Sequence, residues 1–236
     1  MELRPLDPTS EFELEATLEL FKTAYKREIS REFYTWRFLA NPFGPPMVSL
    51  LWDDRILVGH YAASPAQSLV GDEVVPSAQS MTTMTHPEYR NQGVFVKLAE
   101  HLYARMEDLG RRMVWGFPNT QSHYGFVQRL GWQDVALIVT LTRSTEPVPA
   151  DAPTLTRVNA VDQRITELLE PSSDGGIYPS YRSAEYVNWR YIGHPSASYA
   201  LLCLGDPARA LAVVKSYEVS PGRLALGARL RGPGRR

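Results

Sequence analysis

An eleven-residue segment occurs twice. Residues 32–42 read EFYTWRFLANP, and residues 185–195 read EYVNWRYIGHP. Glu32, Trp36, Arg37 and Pro42 stand on Glu185, Trp189, Arg190 and Pro195 at a constant offset of 153, and the same offset carries Arg4 onto Arg157. Two separated matches at one offset indicate a repeated structural unit, and such a chain must bury two cores. At 236 residues it is long enough for that. The stretch 144–153, STEPVPADAP, is proline-rich without apolar periodicity and reads as a linker. The expected division is therefore 1–143, linker 144–153, and a second unit 154–236. The counterpart of the segment after Ser80 falls on the last residues, so the second copy is expected to be partial.

Composition narrows the function classes. Lys plus Arg number 25 against 26 Asp plus Glu, which supplies no broad attraction to nucleic acid or anionic lipid. No 18-residue apolar run and no leader-like apolar segment occur, so a cytoplasmic protein without membrane contact is expected. The lone Cys203 lies in the apolar run 200–204 and reads as a small buried hydrophobe. With no Cys/His ligand spacing, no metal site is expected. Walker A, dinucleotide-binding, H-E-x-x-H and G-x-S-x-G motifs are all missing.

Periodicity gives the element order βααβββαβαβ for the first unit. A strand at 2–6 precedes a helix at 11–25 with Phe12, Ala16, Leu20 and Ala24 on one face. A short helix at 30–39 must end before Asn41-Pro42. Strands follow at 47–52, 55–62 and 73–85, the first two joined at Asp53-Asp54. From Phe95 the apolar spacing of Leu98, Ala99, Leu102, Met106 and Leu109 marks the strongest helix, stopped by Gly110. A strand at 113–117, a helix at 119–130 and a closing strand at 134–142 complete the unit. The fold class is α/β (α+β), a mixed, mostly antiparallel sheet flanked by helices, followed by a smaller partial repeat. The repeated Trp36 and Trp189 read as packing anchors.

The segment with chemical content is 81–95, MTTMTHPEYRNQGVF, joining a strand to the strongest helix. A helix N-terminus presents N–H groups without intrahelical partners, and its dipole favours an anion by about 0.3 to 2 kcal/mol. Gly93 lets backbone approach such an anion closely, and Arg90 can pair with a phosphate. An ordinary loop and helix start has the same composition, so the reading rests on context.

That context resembles the GCN5-related N-acetyltransferase (GNAT) family, whose cofactor loop is Gln/Arg-x-x-Gly-x-Gly/Ala. Here the loop is Arg90-Asn91-Gln92-Gly93-Val94-Phe95. Residues 85–89, THPEY, are similar to the family's strand exit, and Pro118-Asn119 with Leu130-Gly131-Trp132 is similar to its later N…L-G-F segment. The resemblance covers residues 1–143 and, in part, 154–236. It implies an acetyl-CoA site formed by Thr83, Met84, Thr85, Arg90, Asn91, Gln92, Gly93, Val94, Phe95, Asn119 and Ser122. Phe95 departs from the family's small residue and is expected to narrow the space beside the diphosphate.

The implied reaction is direct attack of a primary amine on the thioester, the carbonyl polarised by a strand N–H at Met84 or Thr85. The acceptor would be a small molecule or amino sugar. His60 and His86 are the candidate bases, each as readily structural. The family's acid tyrosine, four residues before the L-G-F glycine, is Val127 here, which leaves Tyr124 as the candidate acid with His123 and Ser122 nearby. Two other readings stand beside this one: an acyl-CoA-binding regulatory module without turnover, and an assembly unit that forms a homodimer through a sheet edge.

Overall fold

The computed structural model describes residues 1–138, 149–169, 176–206, 208–220 and 223–231. It divides into two units. The first takes in Met1–Ala136 and residues 176–181, and the second the other described residues.

The first unit opens with β1 (Glu2–Pro5) and α1 (Glu11–Tyr25). Ser10 caps α1 by accepting from the Glu13 N–H, and acidic Glu11 and Glu13 sit in the first turn, where the helix dipole favours them. The buried stripe is Glu13, Leu14, Thr17, Leu20 and Phe21, one position round from the expected face, and Phe12 is 55% exposed. Glu13 turns inward because Arg4 of β1 and the Asp7 N–H satisfy its carboxylate. The expected second helix is α2 (Arg31–Tyr34), which widens into a π-helical turn over Thr35–Leu39, closed by Ala40 N–H donating to the Thr35 carbonyl.

Then come β2 (Met47–Asp53), β3 (Ile56–Val70), β4 (Glu73–Thr85), α3 (Val94–Asp108) and β5 (Met113–Gly116). Strand order is β1-β2-β3-β4-β5, with only the β4–β5 pair parallel. One face of the sheet packs Leu14, Leu20, Phe21, Tyr34 and Phe38; the other packs Val94, Leu98, Leu102, Met106 and Phe126. The helix expected at 119–130 is helical from His123 to Leu130, after a turn at 120–122, and is π-helical over Gly125–Arg129. Residues 134–138 of the expected closing strand are not extended into a sheet, and Val135, Leu137 and Ile138 are 92%, 92% and 76% exposed. Residues 139–142 of that strand, and 144–148 of the expected linker, lie outside the described residues.

The remaining elements are β6 (Leu155–Val158), α4 (Gln163–Leu169), β7 (Ile177–Tyr178), α5 (Ala184–Val187), a π-helical turn over Asn188–Ile192, β8 (Ala200–Leu204), β9 (Ala210–Ser220) and β10 (Arg223–Arg231). β7 pairs with β3 at Leu69 and Val70, so residues 176–181 join the first unit's sheet although the sequence division puts them in the second. The second sheet has the order β6-β8-β9-β10, the order of β1 to β4 over again. Ser30 and Ser183, also 153 apart, cap the two short helices that precede equivalent π turns. The second sheet and its capped π turn partly fit the repeat seen in the sequence. Within it, the deeply buried member is Arg37, 5% exposed, not the tryptophan; its guanidinium reaches Met81 Sδ and Gln79 Oε1 of β4.

Candidate active site

Strands β4 and β5 run together for only four residue pairs, from Ser77 and Met113 to Ser80 and Gly116. Beyond that last pair β4 continues alone on this side to Thr85. Just past the parting, β4 is irregular against its other neighbour, β3. His60 of β3 pairs with Met84 while Ala62 pairs with Met81, so two steps on β3 face three on β4. The extra residue is a β-bulge, and Thr82 carries a positive φ of 53°, unusual for a β-branched residue.

Two side chains hold the bulge open. His60 Nδ1 donates to the Thr82 carbonyl at 2.8 Å, and the Tyr25 hydroxyl, from the end of α1, donates to the Thr83 carbonyl at 2.8 Å. With Nδ1 protonated, His60 Nε2 accepts from the Tyr34 hydroxyl at 2.9 Å. His60 is completely buried, and burial holds its imidazole down at about 4, so it is neutral at pH 7. It serves as a strut. A sealed ring with both nitrogens engaged is not placed to take a proton from an amine, which removes His60 from the candidate bases.

The strand leads into the loop and α3 as the sequence implied. His86 donates its N–H to the Val58 carbonyl and caps the 3-10 turn Pro87–Tyr89, its ring edge-on to Tyr89 and partly exposed. Arg90, Asn91, Gln92 and Gly93 are exposed. Asn91 and Gly93 take positive φ values of 62° and 75°, and Gly93 is the N-cap of α3 with no side-chain cap bond. A Cβ at Gly93 would meet nothing within 4 Å. Space beside Gly93 is therefore open at the start of α3, where first-turn N–H groups have no intrahelical partners and an anion can be held.

Three of the implied cofactor residues have their side chains in the core. Met84 is 2% exposed and packs in the core on the α1 side, Val94 is 3% exposed, and Phe95 packs among Tyr61, Phe126 and Gly125. The Phe95 ring, expected to narrow the space beside a diphosphate, is taken up by this core packing. Thr83 and Thr85 are half-buried on the free length of β4.

Across the parting, Asn119 Oδ1 accepts from the N–H groups of Gln121 and Ser122, and Ser122 Oγ accepts from the Asn119 N–H. This pair closes a turn that starts the next helical segment. His123 Nε2 lies 2.8 Å from Asp134 Oδ1. Tyr124 is 64% exposed at the head of the π turn, and Val127 is partly buried within it. The sequence reading missed Tyr25, Tyr34 and Thr82, whose roles come from a bulge that no residue type announces. It also missed Tyr61 and Tyr103, whose hydroxyls meet 3.0 Å apart beside Ser80.

Among the described residues no cluster of three or more His, Cys, Asp or Glu is placed to hold a metal ion, and no helix is long and apolar enough to cross a membrane. No curated protein sequence matches the chain. Among solved structures the chain is similar in fold to the GCN5-related N-acetyltransferase from Anabaena variabilis, at TM-score 0.65 and 14% identity over 99% of this chain and 59% of that one. It is similar also to Eis1 from Mycobacterium abscessus, at 0.62 and 14% over 99% and 60%, and to a probable N-acyltransferase from Enterococcus faecalis, at 0.63 and 14% over 94% and 56%. The chain thus spans somewhat under two thirds of the length of these three. Residues 5–135, more than half of the chain and the whole of the geometry above, match the family described as the acetyltransferase (GNAT) domain, and the chain belongs to that family.

Proposed function

We propose that this protein transfers the acetyl group of acetyl-CoA to the primary amine of a small molecule or amino sugar. The observation that carries the reading is the free length of β4, residues 81–85, ending at a glycine-capped helix N-terminus. One feature offers backbone groups to an extended acyl-pantetheine arm, the other a cradle for its phosphates. Thr83 and Thr85 would line the arm, and Arg90, Asn91, Gln92 and Gly93 would hold the phosphates. Bound acetyl-CoA supplies an activated thioester.

The chain's own part is positional and electrostatic. The bulge fixes where the strand N–H groups point, His60 and Tyr25 keep it from relaxing, and a rigid donor aimed at a developing oxyanion needs no rearrangement during reaction. The amine nitrogen forms a bond to the acyl carbon as the carbon–sulfur bond breaks. An alkylammonium with a pKa near ~10 first gives up its proton to water or to His86, whose ring is partly exposed.

A second reading, an acyl-CoA-binding module without turnover, is favoured by the 64% exposure of Tyr124 together with valine at 127. Two measurements separate the readings. Calorimetry with acetyl-CoA is expected to give one site per chain with Kd below ~1 mM. Thiol release from acetyl-CoA in the presence of pooled primary amines is expected for the enzyme. Binding without thiol release would establish the module instead.

A further inference from the structure

The first unit contains a buried run of hydrogen bonds to which the reaction above gives no task. Tyr61 of β3 is fully buried, and its hydroxyl lies 2.6 Å from Ser80 Oγ and 3.0 Å from the Tyr103 hydroxyl of α3. Trp132 Nε1 donates to that Tyr103 oxygen at 2.9 Å. Phenylalanines would fill the same space with no polar atoms to satisfy, so retaining four such groups is not required by packing.

An indole N–H only donates, so the Tyr103 oxygen accepts at that end. In the Tyr103–Tyr61 and Tyr61–Ser80 bonds either oxygen can donate, so the run can be polarised toward Ser80. Burial pushes both phenols up, so they stay protonated across the working pH range. Tyr61 and Tyr103 are the titratable side chains bonded into the run, from β3 and α3 respectively. Ser80 stands where the strands part. It is the last β4 residue paired with β5, and its partner Gly116 lies so close that a Cβ there would meet the Ser80 carbonyl at 3.2 Å and the Trp132 ring at 3.4 Å.

We propose that Ser80 donates the proton taken up by the departing CoA thiolate, with Tyr61, Tyr103 and Trp132 as the positioning residues that orient and reload it. This rests on the acetyl-transfer reading above. A sulfur–hydrogen bond forms as the Ser80 oxygen–hydrogen bond breaks. Ser80 takes the Tyr61 proton, Tyr61 takes that of Tyr103, and half-buried Tyr103 takes one from water; the indole keeps its own. One proton passes from solvent to sulfur, matching the one the amine has released. Val127 brings no hydroxyl to this task, and Tyr124 is largely in solvent.

The test compares Ser80→Ala, Ser80→Thr and Tyr61→Phe with the wild type. In complexes with CoA itself, the thiol is titrated by thiolate absorbance in the ultraviolet, with calorimetric affinity measured alongside. Ser80→Ala is expected to raise the bound thiol's pKa by about one unit, since a hydrogen bond to a charged acceptor is lost. It is expected to lower kcat roughly tenfold with the KM for acetyl-CoA unchanged. Ser80→Thr restores both. Tyr61→Phe, which keeps the ring and the packing, gives a smaller shift of the same sign. Unchanged thiol titration in Ser80→Ala, or in Tyr61→Phe should the alanine variant not fold, overturns the relay and leaves acetyl transfer standing. A wild type that binds CoA but releases no thiol from acetyl-CoA overturns acetyl transfer, and the relay with it.

Discussion

Phe95 lies so close to Gly125 that a Cβ on the glycine would stand 2.8 Å from the phenylalanine ring. The ring is held on its other sides by Phe126, at 5.1 Å between centroids, and Tyr61, at 6.2 Å. The first turn of α3 and the π turn at Gly125–Arg129 are therefore locked together by a large residue on one and the absence of a side chain on the other. Phe95 occupies a position where the family has a small residue, and the missing side chain at Gly125 leaves room for its ring.

Gly125→Ala should destabilise the protein by about 1 to 3 kcal/mol, the usual cost of overpacking a held ring. Phe95→Leu in the same chain should recover at least ~1 kcal/mol of that, a coupling that distant sites do not show. Denaturant unfolding of the four chains in the cycle reads it directly. Simple additivity would mean that the ring swings away and the lock does not exist.

At the cradle, Gly93→Ala places a Cβ in open space but at a φ of 75°, which costs roughly 1 to 2 kcal/mol. The chain should fold, with acetyl-CoA affinity reduced about tenfold as the first-turn N–H groups turn off axis. Gly93→Pro cannot adopt that φ and should show no calorimetric binding below ~1 mM. Equal affinity in all three chains would move the phosphate site elsewhere.

Close approach of α3 to the sheet depends on Gly59. A Cβ there would lie 2.6 Å from Val94 Cγ1 and 2.8 Å from Leu98 Cδ1. Gly59→Ala should cost about 1 to 3 kcal/mol in thermal or denaturant unfolding, and Val94→Ala should relieve part of it. If Gly59→Ala unfolds like the wild type, the helix does not sit as close as the geometry requires.

Much of this fold was legible in the sequence because α1, α3 and β2 to β4 have clear periods and stops. The repeat was legible because Trp-Arg and Pro recur at one offset, and both copies bend into a π turn there. What escaped was set by tertiary contacts. Glu13 goes inside because Arg4 is waiting for it, which displaces Phe12 from the buried stripe. The bulge at Thr82 escaped because nothing in Met-Thr-Thr-Met-Thr marks a left-handed residue. His60 looked reactive from its residue type alone; only burial and two engaged nitrogens show it as a strut.

That strut gives the fold an acid-sensitive point. His60 sits near 4 when folded against an ordinary 6.5 when unfolded, so between those values the unfolded chain holds the extra proton. Stability is then complete above pH ~6.5 and falls as pH drops toward 4, by about 3 kcal/mol over the window. His60→Gln, measured by denaturant unfolding at pH 7, 5.5 and 4.5, should lose most of that slope. A variant as acid-sensitive as the wild type would assign the transition to carboxylates.

The last expectation concerns Tyr124 and follows from its exposure. A phenol that is 64% solvated at the head of a turn has water for a partner, and removing its hydroxyl costs little in an open site. Tyr124→Phe should leave acetyl-CoA affinity unchanged and alter turnover by less than about threefold, under 1 kcal/mol in the barrier. Steady-state thiol release at saturating amine, beside calorimetry, measures the two effects separately. The pattern across variants carries the meaning. A loss of roughly 10- to 100-fold in Tyr124→Phe with intact binding would place the acid at the head of the π turn and would remove the need for a proton from Ser80. A small effect there with a large one in Ser80→Ala would put the acid at the foot of the parting, where Tyr61 keeps a hydroxyl 2.6 Å from it.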